Sequence, residues 1–236
     1  MMAIKGILFD KDGTLIACNN VWGPLYHGML TKHFGYDDQA ALILLRSTGY
    51  NPETGTLRGG SPMAAGTLDQ IMRVWWPELS VTARDERREF FNQNADKNAK
   101  NFVEPLFELA SVFDAFHAAG FILGVGTNDS ESSAKRHMEV LDVHHYFDVV
   151  LGADSVAVAK PSGQMVKRFA ELTGLTPNQV AMVGDNSHDI DEARAGGAGL
   201  AIGVLTGNST AAELKPHADH VIHSVAELLP LLISLS

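Results

Sequence analysis

At 236 residues, with 45% hydrophobic and 19% charged positions, the chain has the composition of a soluble globular protein long enough to bury a full core. Its net charge of −10 argues against a general nucleic-acid surface, and no apolar run reaches the roughly 18 residues a membrane span needs. The single cysteine, Cys18, excludes an internal disulfide, and no secretory leader is apparent at the N-terminus, so a cytoplasmic setting is expected.

KGILFD (5–10) reads as a buried strand that runs straight into Asp10, Lys11 and Asp12 and turns at Gly13. From Thr14 to about Lys100 no strand is expected. VWGPLYHGMLTKHFG, DDQAALILLRSTG, SPMAAGTLDQIMRVWW and TARDERREFFNQNADKN all read as helices. From about Asn101 the pattern changes to alternation. VFDAFHAAG (112–120) predicts a helix stopped by Gly120, FILGVGT a strand, and SESSAKRHMEVLD a helix capped by Ser130. YFDVVLGAD predicts a strand, GQMVKRFAELTGL a helix ending at Gly174, QVAMVGDN a strand and SHDIDEARAGG a helix. GLAIGVLTG and ADHVIHS follow as strands, and SVAELLPLL closes the series as a helix.

Apolar strands alternating with helices predict an α/β three-layer sandwich with a mainly parallel sheet covered on both faces. The expected division is a core of residues 1–16 and 101–236, with an inserted all-α helical bundle at 17–100 as a cap. Such an insert lies over the carboxyl end of the first strand, the edge where open parallel sheets bind ligands.

Polar residues gather at that edge. Asp10 and Asp12 follow the first strand; Thr127, Asn128 and Asp129 follow FILGVG. Lys160 and Pro161 follow DSVAVA, read here as a strand end, and Asp185 and Asp189 follow VAMVG. Several carboxylates in one crevice repel each other unless a cation sits among them, and oxygen ligands suit magnesium. A hydroxyl, an amide and an ammonium nearby make a cage for a phosphoryl group. One carboxylate can then attack phosphorus to form an aspartyl phosphate, and a second can manage the protons.

DKDGT, Thr127 after a buried strand, Lys160-Pro161 and GDNSHD resemble, in order and spacing, the four motifs of the haloacid dehalogenase superfamily. A helical insert after the first motif resembles the subgroup that includes phosphoglycolate phosphatase and β-phosphoglucomutase. The resemblance implies a Rossmannoid core and magnesium-dependent hydrolysis of a small organic phosphate, with phosphoglycolate the first candidate. It implies Asp10 as nucleophile and magnesium ligand, and Asp12 as general acid and base with its backbone carbonyl on the metal. Thr127 and the Asn128 backbone amide would hold phosphoryl oxygens, and Lys160 would steady the nucleophile and the transferring group. Asp185 would be a metal ligand, and Asp189 a ligand or the holder of metal-bound water. Two positions depart from the common pattern: Ser162-Gly163 after Lys160-Pro161, where relatives often carry another proline, and Lys11, where an apolar residue is usual.

Dehalogenases and phosphonate-cleaving relatives lack a carboxylate at position 12. P-type ion pumps carry DKTGT together with membrane helices. Asp12 therefore favours phosphate-ester chemistry. A phosphomutase of the β-phosphoglucomutase kind and a non-catalytic binding protein on the same fold stand as alternatives. A small phosphorylated molecule is the expected partner, and oligomeric state is open.

Other residues have humbler readings. Asp129 reads as a helix cap, His217, His220 and His223 as edge or surface histidines, and Trp75 and Trp76 as cap core. His188 would line the site without a catalytic part. Arg58, in the glycine-rich GTLRGGSP (55–62), is either a cap cation for a second anion such as a substrate carboxylate or a solvated loop arginine. Asn19, Asn20 and Trp22, just past the hinge, are placed to face substrate. Strand alternation directs Lys11 away from the face of its neighbours, so it is expected not to touch the phosphoryl group.

Overall fold

The computed structural model describes residues 4–19 and 21–235. β1 (Gly6–Phe9) leads into the helices α1 (Trp22–Phe34) and α2 (Asp38–Ser47). A short antiparallel ladder follows, β2 (Tyr50–Asn51) with β3 (Thr56–Leu57), where no strand is expected from the sequence. Then come α3 (Pro62–Ala65), α4 (Leu68–Trp75) and α5 (Val81–Asn98). SPMAAGTLDQIMRVWW is thus two helices rather than one. The break falls at Gly66-Thr67 because Thr67 and Gln70 form a capping box that starts a new helix.

Beyond residue 101 the alternation is α6 (Leu109–Ala118), β4 (Ile122–Gly126), α7 (Glu131–Val140), β5 (Val149–Leu151), α8 (Gln164–Thr173) and β6 (Val180–Gly184). It continues with α9 (Ser187–Gly196), β7 (Leu200–Val204), α10 (Ala211–Leu214), β8 (His220–Ile222) and α11 (Leu228–Ser234). Ser130 caps α7 by accepting the Ser133 N–H, as its sequence position predicts. DSVAVA is not a strand. β5 stops at Leu151, a short 3₁₀ turn spans Ala153–Ser155, and Lys160 rides on the loop beyond it.

The six long-range strands pair in parallel in the order β5-β4-β1-β6-β7-β8, so β1 is central. Side-chain alternation sorts its residues between two cores. Ile7 and Phe9 join Phe113, Phe116, Met138 and Leu228 from α6, α7 and α11 on one face. Leu8 joins Met165, Phe169, Ile190 and Leu214 from α8, α9 and α10 on the other. Burial on both faces is why β1 and the inner strands beside it are apolar throughout.

The helical segment has its own apolar cluster, built on Trp22, Tyr26, Leu30, Leu45, Met72, Trp75 and Phe91. Trp75 and Trp76 both pack there, and each indole N–H is used: Trp75 donates to the Leu44 carbonyl at 2.8 Å and Trp76 to the Tyr36 hydroxyl at 2.7 Å. No helix among the described residues is long and apolar enough to cross a membrane.

Candidate active site

With β1 between β4 and β6 in parallel register, the residues that follow these strands emerge side by side. Asp10 follows β1, Thr127 follows β4 and Asp185 follows β6. The Asp10 N–H donates to the Val183 carbonyl at 2.7 Å, and the Thr127 N–H to the Leu151 carbonyl at 3.0 Å, so the ladder extends to the reactive edge. Lys160 has no strand to position it. Asn128 does so instead: its Oδ1 accepts the Lys160 N–H at 3.0 Å, and its Nδ2 donates to the Lys160 carbonyl at 3.2 Å. The same Nδ2 donates to the Ala65 carbonyl at the end of α3 at 2.7 Å, tying the helical segment to the loop.

Three buried carboxylates, Asp10, Asp185 and Asp189, present oxygens within 4.8 Å of one another. Lys160 Nζ lies 2.6 Å from Asp10 Oδ1 and 2.6 Å from Asp189 Oδ1. Asp189 Oδ2 accepts the Asn186 N–H at 3.1 Å, and Asp185 Oδ2 accepts the Asn208 N–H at 2.8 Å. Burial pushes the Asp10 carboxyl up to about 6, with Lys160 pulling it down and Asp189 adding to the rise. Burial, then the charges of Asp10 and Asp189, hold Asp185 well above the usual carboxylate range. Burial works against the Lys160 ammonium, yet Asp10 and Asp189 outweigh it and raise its pKa above the ordinary lysine value. One ammonium among three buried carboxylates leaves negative charge uncompensated. An all-oxygen donor set of this kind fits magnesium.

Two glycines bring backbone against Asp185. Gly13 turns the chain at φ +80°, a conformation open to glycine, and a Cβ there would lie 2.7 Å from the Asp185 carboxyl. A Cβ on Gly207 would lie 1.9 Å from Asp185 Oδ2.

Asp12 is held on both oxygens. Trp22 Nε1 donates to Oδ1 at 3.1 Å, and Lys11 Nζ donates to Oδ2. Lys11 is fully buried, which corrects the alternation argument: β1 ends at Phe9, so residues 10–12 no longer follow a strand's two-residue period. Its amine reaches Asp12 directly, pairs with Asp129 Oδ2 at 2.9 Å and lies 3.2 Å from His137 Nδ1. Asp129 therefore serves as a partner of Lys11, while Ser130 supplies the cap. Burial pushes Asp12 up to about 6 against the pull of Lys11. Burial, reinforced by Lys11, pushes His137 down to about 3, so its ring is neutral.

Asp10, Asp12, Thr127, Asn128, Lys160, Asp185 and Asp189 all line one cavity, closed on the helical side by Trp22, Tyr26, Leu57, Met63 and Ile71. His188 lines it too, its pKa lowered by burial and by Lys160. Arg58 is exposed on the loop after β3, and Leu57 rather than Arg58 faces the cavity. Asn19 accepts the Leu57 N–H at 3.4 Å, and Asn20 lies outside the described residues. His217 and His223 are exposed, and His220 is half-buried on the edge strand β8.

Sequence reasoning missed three contributors. Glu192 on α9 is fully buried and accepts the N–H groups of Gly163, Met165 and Val166, fixing the loop that carries Lys160. Asn208 anchors Asp185 and His137 meets Lys11; Trp22, expected to face substrate, lines the cavity and also donates to Asp12. Only Asn208 had a signal of the kind used for the others, a polar residue shortly after the apolar strand GLAIGV.

The family model for haloacid dehalogenase-like hydrolases matches residues 4–197. Phosphoglycolate phosphatase of Salmonella paratyphi A is 35% identical over 236 residues, covering 97% of this chain and 92% of its own. In fold, the chain resembles CbbY of Rhodobacter sphaeroides, solved in complex with phosphate. The TM-score is 0.71 at 17% identity, over 95% of this chain and 96% of that one. A haloacid dehalogenase-like family hydrolase of Streptococcus pneumoniae gives 0.66 at 19% identity, over 98% and 99%.

Proposed function

The chain belongs to the haloacid dehalogenase-like hydrolases, and from that membership we propose that it hydrolyses a small organic phosphate monoester through an aspartyl phosphate on Asp10. The leading substrate is 2-phosphoglycolate, on the strength of the 35%-identical relative named for that reaction. The observation that carries the reading is the convergence of Asp10, Thr127, Lys160 and Asp185, from four separate elements, on one cavity that Asp12 also lines. A non-catalytic scaffold has no need of all five.

In this reading an Asp10 oxygen attacks phosphorus as the ester P–O bond breaks, and Asp12 gives its proton to the departing oxygen. Water then attacks the phosphoryl group on Asp10. Asp12 takes the water's proton, phosphate leaves, and the Asp10 carboxylate is restored. Thr127 and the Asn128 N–H receive phosphoryl oxygens, and Lys160, already 2.6 Å from Asp10, offsets their charge. Asp10, Asp185, Asp189 and the Asp12 carbonyl would hold a magnesium ion, which supplies positive charge to the phosphoryl oxygens when bound. Residues 17–100 act as a lid over a core of 1–16 and 101–236, a division supported by the separate apolar cluster of the helical segment. The substrate carboxylate would need a cation, and Arg58, exposed on the loop after cavity-lining Leu57, would have to turn inward to supply it.

The test is turnover of p-nitrophenyl phosphate with and without magnesium, followed by a panel of alkyl phosphates, sugar phosphates and nucleotides. Wild type should require magnesium and prefer phosphoglycolate, and Asp10→Asn should lose all turnover. Activity that survives in pure Asp10→Asn removes Asp10 as nucleophile. Arg58→Ala should raise KM for phosphoglycolate with kcat little changed, and an unchanged KM removes Arg58 from the substrate site.

A further inference from the structure

Lys11 is a costly residue to bury. A lysine is almost never fully buried unless paired, because its charge loses the hydration it had in the unfolded chain. Here it has partners of both kinds, hydrogen-bonded and ionic. The ammonium donates to Asp12 Oδ2, lies 3.2 Å from His137 Nδ1, and forms an ion pair with Asp129 Oδ2 at 2.9 Å. An ammonium can only donate, so Nδ1 is the unprotonated nitrogen of His137 and the ring proton sits on Nε2. The indole of Trp22 closes the cluster, with Lys11 Nζ 5.4 Å from its ring centre and its own N–H on Asp12 Oδ1. Trp22 is itself wedged against Tyr26, Phe102 and His137, so neither donor to Asp12 is free to swing.

We propose that Lys11 and Trp22 are positioning residues that hold the Asp12 carboxyl by both oxygens and so aim it at the ester's leaving oxygen. The inference rests on the phosphatase reading above for the part Asp12 plays, but the clamp stands on contacts alone. When Asp12 carries a proton on one oxygen, the other oxygen is still held, so the group keeps its direction in both halves of the reaction. Asp129 and His137 act one step further out, fixing the amine. Because Trp22 opens α1 of the helical segment while Lys11 follows the central strand, the clamp is whole only when the two parts are docked.

The leaving group separates positioning from general structural damage. A p-nitrophenolate departs with little help from an acid, whereas an alkoxide needs its proton. For Lys11→Met, kcat/KM on an alkyl monoester from the panel should fall about 100-fold, and on p-nitrophenyl phosphate less than about 10-fold, within the range general acid catalysis supplies. Lys11→Arg should recover part of the alkyl activity, and Trp22→Phe, which keeps an aromatic ring and drops the N–H, should show the same skew to a smaller degree. Should Lys11→Met fail to fold, Trp22→Phe carries the comparison. A second readout needs no turnover: the Trp22 indole proton, identified by its loss in Trp22→Phe, should move upfield in Lys11→Met as the carboxyl it binds is released. Equal losses on both esters in a folded variant, no loss on either, or an unmoved indole signal would each overturn the proposal. A wild type inactive on every ester would sink the phosphatase reading instead, and the indole signal would still decide the clamp.

Discussion

Replacing Glu192 with alanine removes a fully buried carboxylate that accepts N–H groups from Gly163 at 2.6 Å, Met165 at 2.8 Å and Val166 at 3.2 Å. These lie at the N-terminus of α8, where no preceding turn offers a carbonyl. A hydrogen bond to a charged group contributes about 1.5–3 kcal/mol, and the cost of burying the carboxylate offsets part of three such bonds, so the expected loss is roughly 3–5 kcal/mol. At about 2–4 °C per kcal/mol for a chain of this size, the melting point should drop by about 6–20 °C. Urea denaturation followed by circular dichroism measures the change directly. Glu192→Gln keeps the shape and one acceptor but turns an amide N–H toward a backbone N–H, so it should recover only part of the loss. The Lys160 loop runs into this helix end, and turnover should fall even where the variant is folded. A Glu192→Ala protein within about 1 kcal/mol of wild type would show that the α8 terminus is satisfied some other way, and the reasoning would fail.

Three further outcomes follow from the same contacts. Gly207→Ala places a methyl group 1.9 Å from Asp185 Oδ2, so it should cost about 1–3 kcal/mol of stability and weaken magnesium binding measured by calorimetry; unchanged binding would refute the contact. Asn128→Ala removes both side-chain bonds to the Lys160 backbone and the one to Ala65, and should cost about 2–3 kcal/mol while lowering kcat, checked by denaturation and steady-state kinetics. Asp10, pushed up to about 6 by burial from 3.8, binds its proton more tightly folded than unfolded. Its contribution to the stability of the metal-free protein is therefore full below about pH 4 and lost as pH rises through about 6. In EDTA, Asp10→Asn should gain stability relative to wild type between pH 4 and 7, and a constant difference across that range would contradict the shift.

The strand-and-helix alternation beyond residue 101 was legible because the inner strands β4, β6 and β7 are buried almost throughout and announce themselves locally as apolar runs. The places where this local logic misled are specific. DSVAVA is apolar enough to suggest a strand, yet it pairs with nothing and curls into a turn. SPMAAGTLDQIMRVWW has continuous helical periodicity, but the capping box at Thr67 outweighs it. Tyr50–Asn51 and Thr56–Leu57 are too short to carry a period at all.

The same boundary runs through the candidate site. Asp10, Thr127 and Asp185 each stand directly after an apolar strand, so their meeting at one edge was implied once the strands were taken as parallel. Lys11 could not be placed that way, because the strand ends before it and its partners Asp129 and His137 lie more than a hundred residues along the chain. Glu192 reads in sequence as one more charge on a polar helix, and only the packing of α8 over α9 buries it against three N–H groups. Residue type and local period disclose which groups border a strand end. Which buried charge meets which depends on strand order and helix packing, and those are settled by contacts between segments that no local pattern encodes.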